Sequence, residues 1–493
     1  MPSVDSGKSI GALTYAVRAQ VVLKYLGQLA VVQAVLACVP FLASLYFREY
    51  DLSLSFLAVC ALLAAVGLPL ARLPEPSRVL TNEALVITAL AFLTAPLVMT
   101  IPFTNAGIQF GDALFEAVSA ITTTGLSTLG SVEHLPRSVL FARAWMQWYG
   151  GLGIVVLSLA LLAGQGGVTR RLIDPQTGGE GLTSTVRAHA RRMLIVYLVL
   201  TTAGIAAVSV AGAPSMAGVE HVLSAVSTGG FSTFDSSLAG FASAKVMAVT
   251  MAISVCGAIG LPLYYQAWQA GPRTLWHNPE VRALAFAMVL VVAVLTALMI
   301  FVDGAAWPQA LRRALVLGIS AQTTTGFSTS SPGELGNATL LALVIAMMVG
   351  GCVGSTAGGV KLLRALLLLR VARVALRRPG APSHAVIEPM LGDKRIEEAD
   401  LVRALLLMAL YCAVVLLSWL VFLVRGHAPM SSLFEVVSAT ATVGLSAGLS
   451  VPHLEPALKA VLGLDMLLGR LEIVAVLVML YPGTWIGKRD ESL

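Results

Sequence analysis

Four short stretches of the chain combine small hydroxyl side chains with glycine. Ser119 to Ser127 reads SAITTTGLS, Ser224 to Ser232 SAVSTGGFS, Ser320 to Ser328 SAQTTTGFS, and Ser438 to Ser446 SATATVGLS. Five of the nine columns are identical in all four copies: Ser, Ala, then Thr in column five, Gly in column seven and Ser in column nine. Glycine lets a backbone take φ > 0, which other residues resist. A Thr/Gly stretch of this kind allows a backbone whose carbonyls all point to one side. Four such stretches around one axis make rings of oxygen that replace the hydration shell of a monovalent cation. The residues that would supply those oxygens are Thr123, Thr124 and Gly125; Thr228, Gly229 and Gly230; Thr324, Thr325 and Gly326; Thr442, Val443 and Gly444. A single copy reads equally well as a tight turn or a packing glycine. Four copies, with invariant glycines 105, 96 and 118 residues apart, mean that the chain repeats one structural unit.

A second glycine cluster, Gly350 to Lys361, reads GGCVGSTAGGVK in the middle of an apolar segment. Each glycine costs a helix interior up to about 1 kcal/mol relative to Ala, so Gly350, Gly351, Gly354, Gly358 and Gly359, with Ser355 and Thr356 between them, predict a broken helix. Non-helical backbone at membrane depth is tolerated where it lines a water-filled cavity. The other reading is close helix packing, since Gly350, Gly354 and Gly358 fall on GxxxG spacing. The run is no phosphate-binding loop, because Val360 and Leu362 spoil the GK[ST] ending. Arg470 lies deep in the last apolar segment, where a charge is costly and usually paired or functional. It is expected beside the glycine-rich loop, as part of a gate; the alternative is a structural ion bound to Asp465 or Glu472 of a neighbouring chain.

These residues need apolar elements to hold them. Hydrophobic residues make up 57% of the 493, charged residues 12%, and mean hydropathy is +0.84. A soluble protein averages about 25% charged, so the chain is read as an all-α polytopic membrane protein. Spans of about 20 apolar residues are expected at 26–46 and 52–70, then in pairs around each motif: 84–103 with 145–163, 193–211 with 246–265, 284–302 with 340–369, and 404–424 with 460–481. That makes ten transmembrane helices, eight of them in four helix–pore helix–filter–helix repeats with pseudo-fourfold arrangement around a central pore. The units run 1–75 (two N-terminal helices), 76–170, 171–275, 276–380 (with the loop) and 381–493. Before each motif a stretch of about ten residues, too short to span at 1.5 Å per residue, is read as a re-entrant pore helix. Its C-terminal end would turn partial negative charge toward a cation.

Of the 32 Lys and Arg, 23 fall on the side of the termini and the loops between units, including Arg170, Arg171 and the segment 361–403. Basic loops stay inside, so both termini are expected to be cytoplasmic, with the motifs opening outward. No removable signal peptide is expected at the N-terminus, whose first ten residues are polar. Acids on the motif side, Asp112, Glu116, Glu133, Glu220, Asp235, Glu334 and Glu435, read singly as solvated loop residues and collectively as a cation-concentrating field. Arg364, Arg370, Arg373, Arg377 and Arg378 precede Pro379, Gly380 and Pro382 and an acid-rich stretch from Glu388 to Asp400; they fit a lipid-headgroup anchor or a docking face for a cytoplasmic partner. The five cysteines show no CxxC spacing, and the seven histidines form no HExxH. No disulfide framework, zinc site, organic cofactor, nucleic-acid role or enzyme constellation is expected.

The fourfold motif, the two extra N-terminal helices and the glycine-rich break in the third unit resemble the Trk/Ktr/HKT superfamily of potassium transport proteins, most closely its TrkH branch. The resemblance covers nearly the whole chain. It implies K+ as the transported ion, a homodimer with one pore per subunit in a bacterial cytoplasmic membrane, and a cytoplasmic TrkA-like nucleotide-binding regulatory subunit. Gly229 and Val443 depart from the Thr of units one and three. All four column-seven residues are Gly, the pattern that resembles potassium-selective members. The alternative transport mode is a coupled symporter of K+ with H+ or Na+, which needs a second ion site; Asp465, Arg470 and Glu472 are its candidates.

Overall fold

The computed structural model describes residues 16–76, 79–163, 182–380, 390–391, 394–396 and 398–486. Arg170, Arg171, Pro382, Glu388 and both extreme termini lie outside them. Regular secondary structure among the described residues is helical apart from a two-residue antiparallel ladder, Met390–Leu391 with Lys394–Arg395.

Two helices come first, Ala19–Tyr46 and Tyr50–Ala71. They lie against each other closely enough that a Cβ on Gly67 would sit 2.9 Å from the carbonyl oxygen of Gly27. One element order then recurs four times: a long helix, a short helix, the motif, and a second helix. The long helices are Thr81–Asn105, Leu182–Val210, Pro279–Phe301 and Glu398–Val424. The short ones are Phe110–Ile121, Ser215–Val226, Trp307–Thr323 and Pro429–Thr440. Proline opens several of them at the first or second position, where its missing N–H has no helical partner to lose. The closing residues of each short helix are buried, so these helices pass through the protein interior and not over its surface.

The second helices depart from expectation. Only the first, Arg137–Ala163, is unbroken. The span expected at 246–265 is Ala244–Ala258 and Leu261–Ala270, bent by 88°, with Pro262 unable to extend the helix before it. The third unit's is Asn337–Val349 and Leu362–Arg377, divided by the glycine-rich loop. The last, expected at 460–481, runs Pro456–Arg470, turns through Glu472 and Ile473 at φ +54° and +62°, and resumes at Val474–Leu480. Consequently six helices are long and apolar enough to cross a membrane by themselves among the described residues, or seven with the bent pair counted as one. The chain is a multi-pass membrane protein.

Candidate functional site

Each short helix ends in the same cap. Column five is left-handed at a β-branched residue: Thr123, Thr228, Thr324 and Thr442 have φ of 55°, 51°, 55° and 51°. That conformation is a genuine outlier for threonine. It is held by two bonds repeated in every unit. The column-six N–H reaches back to the column-one Ser carbonyl (Thr124 to Ser119 2.9 Å, Gly229 to Ser224 2.7 Å, Thr325 to Ser320 2.9 Å, Val443 to Ser438 2.8 Å). The column-five N–H reaches the column-two Ala carbonyl at 3.0–3.2 Å. This is a Schellman cap, made by backbone groups alone; the four column-one Ser hydroxyls have no partner among the described residues. Column seven then turns left-handed again, at φ 82°, 74°, 86° and 87°, while column six does not. Alternation of this kind keeps successive carbonyls on one side.

The four segments close on one another. A Cβ on Gly125 would stand 2.0 Å from the carbonyl oxygen of Gly229; on Gly230, 2.0 Å from Thr325; on Gly326, 1.9 Å from Val443; on Gly444, 2.1 Å from Thr124. Unit one faces two, two faces three, three faces four, and four faces one. Glycine is therefore required twice over in this column, by its φ and by the oxygen in front of it.

Behind the ring stand side chains that the sequence reading put in solvent. Glu116 is fully buried. It accepts the hydroxyl of Ser127 and the N–H of Thr128, and it is paired at 2.8 Å with Arg143, whose guanidinium lies over the Phe231 ring of unit two. Glu435, equally buried, holds Ser446 and the Leu449 and Ser450 N–H groups. In unit two His221 Nε2 lies 2.9 Å from Ser232 Oγ. Three column-nine serines are thus braced by a residue eleven positions earlier, a spacing the sequence displays. Asp112 is buried too, bound to Thr128 Oγ1 and to Lys459 of unit four. Glu220 is buried without being a loop residue. The expectation of solvated acids fails at these four; it fits Glu334, which is exposed and 3.9 Å from Arg313. Asp235 and Glu133 tie the loops that follow the motifs of units one and two together.

The loop from Gly350 to Val360 packs directly against the inner ends of units two, three and four. The Gly358 N–H donates to Thr324 Oγ1 at 2.7 Å and the Gly359 N–H to the Ala441 carbonyl at 3.1 Å. Thr356 Oγ1 donates to the carbonyls of Val226 and Gly257, both 3.0 Å away. Gln322 Nε2 holds the Gly350 carbonyl. Glycine is needed at Gly358, where a Cβ would fall 2.1 Å from the Ala441 oxygen. Gly351 would meet the Ala357 side chain, while Gly354 and Ser355 stand nearer the bend of unit two, where the Leu261 N–H donates to the Gly354 carbonyl.

Arg470 is 3% exposed. Its Nη1 donates to the Thr356 carbonyl at 2.7 Å; Nε and Nη2 have no partner among the described residues, and neither does any carboxylate pair with it. The other symport candidates lie elsewhere. Asp465 accepts the Ser418 hydroxyl at 2.7 Å, and Glu472 is paired with Arg364, also at 2.7 Å. Arg364 further donates to the Val360 carbonyl, which separates it from the exposed Arg370, Arg373, Arg377 and Arg378.

Four motif segments in cyclic backbone contact thus lie within a multi-pass helical frame, the architecture of a membrane protein built from repeated units. The model of the TrkH family of cation transport proteins matches residues 55–482, and the chain belongs to that family. It is 31% identical over 392 residues to the Trk system potassium uptake protein TrkH of Vibrio parahaemolyticus, covering 77% of this chain and 81% of the relative. It is 29% identical to an uncharacterized cation transporter of Methanocaldococcus jannaschii, over 93% and 94% of the two chains. The crystal structure of the potassium transporter TrkH from Vibrio parahaemolyticus superposes with a TM-score of 0.83 at 28% identity, over 95% of this chain and 99% of that one.

Proposed function

We propose that the chain takes up potassium across the cytoplasmic membrane through a pore ringed by the four motif backbones and closed from within by the loop 350–360. The observation that carries this reading is the cyclic contact of each column-seven glycine with the next unit's column-six oxygen. A closed ring of carbonyls has the chemistry to replace a dehydrated cation's water. The relatives named as potassium uptake proteins support K+ as that ion. In this reading the ten spans include the shortened second helices, whose ends meet protein rather than lipid, and the four units surround one pore per subunit of a homodimer.

The gate consists of the loop and Arg470. The loop, through the Thr356 side chain and the Gly358 and Gly359 backbone, touches the column-four or column-five residues of three units, so in this reading it occupies the path an ion leaving the ring would take. The Arg470 guanidinium adds a buried positive charge at the same level, and cations repel strongly where the dielectric is low. A TrkA-like nucleotide-binding regulator on the cytoplasmic side, docking on the exposed arginines after the loop, would supply the work of opening, with both termini on that side. Coupled symport finds no support in the arrangement, since Asp465, Arg470 and Glu472 are bound to three different partners.

Purified protein in liposomes under a potassium gradient tests the reading by tracer flux. Selective uptake of K+ over Na+ is expected. Absence of uptake with and without a regulator, or equal passage of both ions, would overturn it.

A further inference from the structure

The four filter segments are not held from behind in the same way. In units one and three the column-six threonine is clamped by its own neighbour two residues back: Thr124 Oγ1 lies 2.8 Å from Thr122 Oγ1, and Thr325 Oγ1 lies 2.8 Å from Thr323 Oγ1. In unit four both positions are apolar, Ala441 and Val443, and both are fully buried. Unit two has glycine in column six and so no side chain to clamp. What fills the space is Gln147, from the second helix of unit one. Its Nε2 donates to the Gly229 carbonyl at 2.6 Å, and its Oε1 accepts the Phe231 N–H at 3.2 Å. Gln147 is wholly buried, and a Cβ on Gly229 would stand 2.4 Å from its Cδ. Residue and gap fit each other.

The position is special among the units. Gly150, three residues after Gln147, packs on the carbonyl of Ile121; Gly257 does the same on Val226 and Gly469 on Thr440. Three residues before those glycines stand Ser254 and Met466, and Met347 precedes Gly350 in the matching Gly-Gly of unit three. Ser254 spends its hydroxyl on its own helix, and a methionine offers no N–H donor. Gln147 is therefore the one residue of the set that bridges a carbonyl and an N–H of the neighbouring filter segment.

We infer that Gln147 is a positioning residue for ion selectivity, fixing the Gly229 carbonyl in the ring by a two-pronged bond that replaces the hydroxyl clamp of units one and three. The inference rests on the motifs being the filter. Glycine carries the least backbone restraint of any residue, and the Gly229 oxygen is the one that faces Gly125. Without Gln147 that oxygen is free to turn, and a ring with one loose member discriminates less well between cations of different size.

The experiment measures the K+/Na+ permeability ratio of full-length protein in liposomes for four variants. Gln147→Met, the residue found at the matching sites of units three and four, keeps volume and removes both bonds; the ratio is expected to fall about tenfold, the equivalent of ~1.4 kcal/mol. Gly229→Thr alone crowds Gln147 and lowers the ratio at least as far. The double variant Q147A/G229T rebuilds the arrangement of units one and three, because Ser227 Oγ already occupies the place of Thr122 Oγ1, bonded one turn back to Leu223 as Thr122 is to Val118. Its ratio should return to within about threefold of the parent, a rescue that a merely structural Gln147 would not produce. An unchanged ratio in Gln147→Met, or a double variant no better than Gly229→Thr, would overturn the inference; if Gln147→Met does not fold, the rescue pair decides. Gly326→Ser is the control. A lowered ratio there with an unchanged one in Gln147→Met removes only the role of Gln147, whereas an unchanged ratio in Gly326→Ser removes the filter itself.

Discussion

The four motifs and the loop 350–360 both depend on left-handed glycines, yet they are built on opposite plans. Every motif has the same two cap bonds, and each of its glycines faces the next unit's oxygen, so no segment moves without meeting its neighbour. The loop's bonds are unlike one another: they include a threonine hydroxyl and a glutamine amide of unit three, a carbonyl of unit four, several backbone groups of unit two, and one arginine. Repetition makes a rigid ring. A patchwork of unlike bonds makes a segment that one set of partners holds and another set could release, which is what a two-state element requires.

The largest effect should come from the brace behind the ring. Glu116→Ala strips the buried Arg143 of the carboxylate paired with it among the described residues and Ser127 of its acceptor. Breaking a buried ion pair by removing one member costs about 3–5 kcal/mol, so the variant should lose most of its folded yield, read as the monodisperse peak in detergent. Glu334→Ala, removing an exposed acid from the same side of the protein, should change little. Equal yields from the two would mean that the ring does not depend on its surroundings for rigidity.

Next comes the ring. Gly326→Ser places a Cβ 1.9 Å from the Val443 oxygen and obliges a side chain to adopt φ of 86°. The K+/Na+ permeability ratio should drop by about 10- to 100-fold, ~1.4 to 2.7 kcal/mol of discrimination. Gly350→Ala, at the loop's first left-handed glycine, should instead alter open probability and leave the ratio intact. A Gly350 variant that changed selectivity would erase the contrast between the two regions.

How much of this contrast was legible in the sequence differs from residue to residue. The fourfold identity of columns five and seven marked the ring, because both take left-handed φ and column seven makes the close approach. That column five is a left-handed threonine was not legible from propensity, which disfavours it; only its fourfold identity hinted at a constraint. Glu116 and Glu435 looked like loop acids because one acid in a short amphipathic stretch has no visible partner. The signal lay in their common spacing of eleven residues from Ser127 and Ser446. The breaks at Gly260 and Leu471 were hidden for a different reason: the residues on both sides are apolar whether they face lipid or protein, so hydropathy runs through them unbroken. Arg470 was legible as a charge that needs a partner, and its place against a carbonyl of the loop followed from the order of the units.

Removing the arginine tests the loop's anchorage. Arg470→Ala deletes a bond to the Thr356 carbonyl and a buried positive charge together. Net bonds to charged groups are worth about 1.5–3 kcal/mol, so basal K+ flux without any regulator should rise at least about tenfold through protein of normal yield. Folded Arg470→Ala protein with unchanged or lower flux would leave the arginine a structural ion and the gate without its charge.

The smallest effect is expected farthest from the ring, and it bears on what releases the patchwork. Arg364 is committed to Glu472 and to the Val360 carbonyl, so it belongs to the loop's own anchorage. Arg370, Arg373, Arg377 and Arg378 continue the same helix outward and are exposed. A partner that pulled on them would act on a helix beginning at Leu362, two residues beyond the loop. Exposed charge pairs contribute only about 0.2–1 kcal/mol each, so neutralising Arg373, Arg377 and Arg378 together should weaken co-purification of a cytoplasmic regulator by no more than about 10- to 100-fold, without altering basal flux or the K+/Na+ ratio. The effect should shrink as salt is raised, because exposed charges are screened within about 10 Å at 0.1 M. Retained co-purification at every salt concentration would make these arginines lipid anchors and move the handle of the gate elsewhere. Loss of basal transport in the triple variant would instead join this helix to the pore, and the division between a fixed ring and a releasable loop would have to be drawn further out.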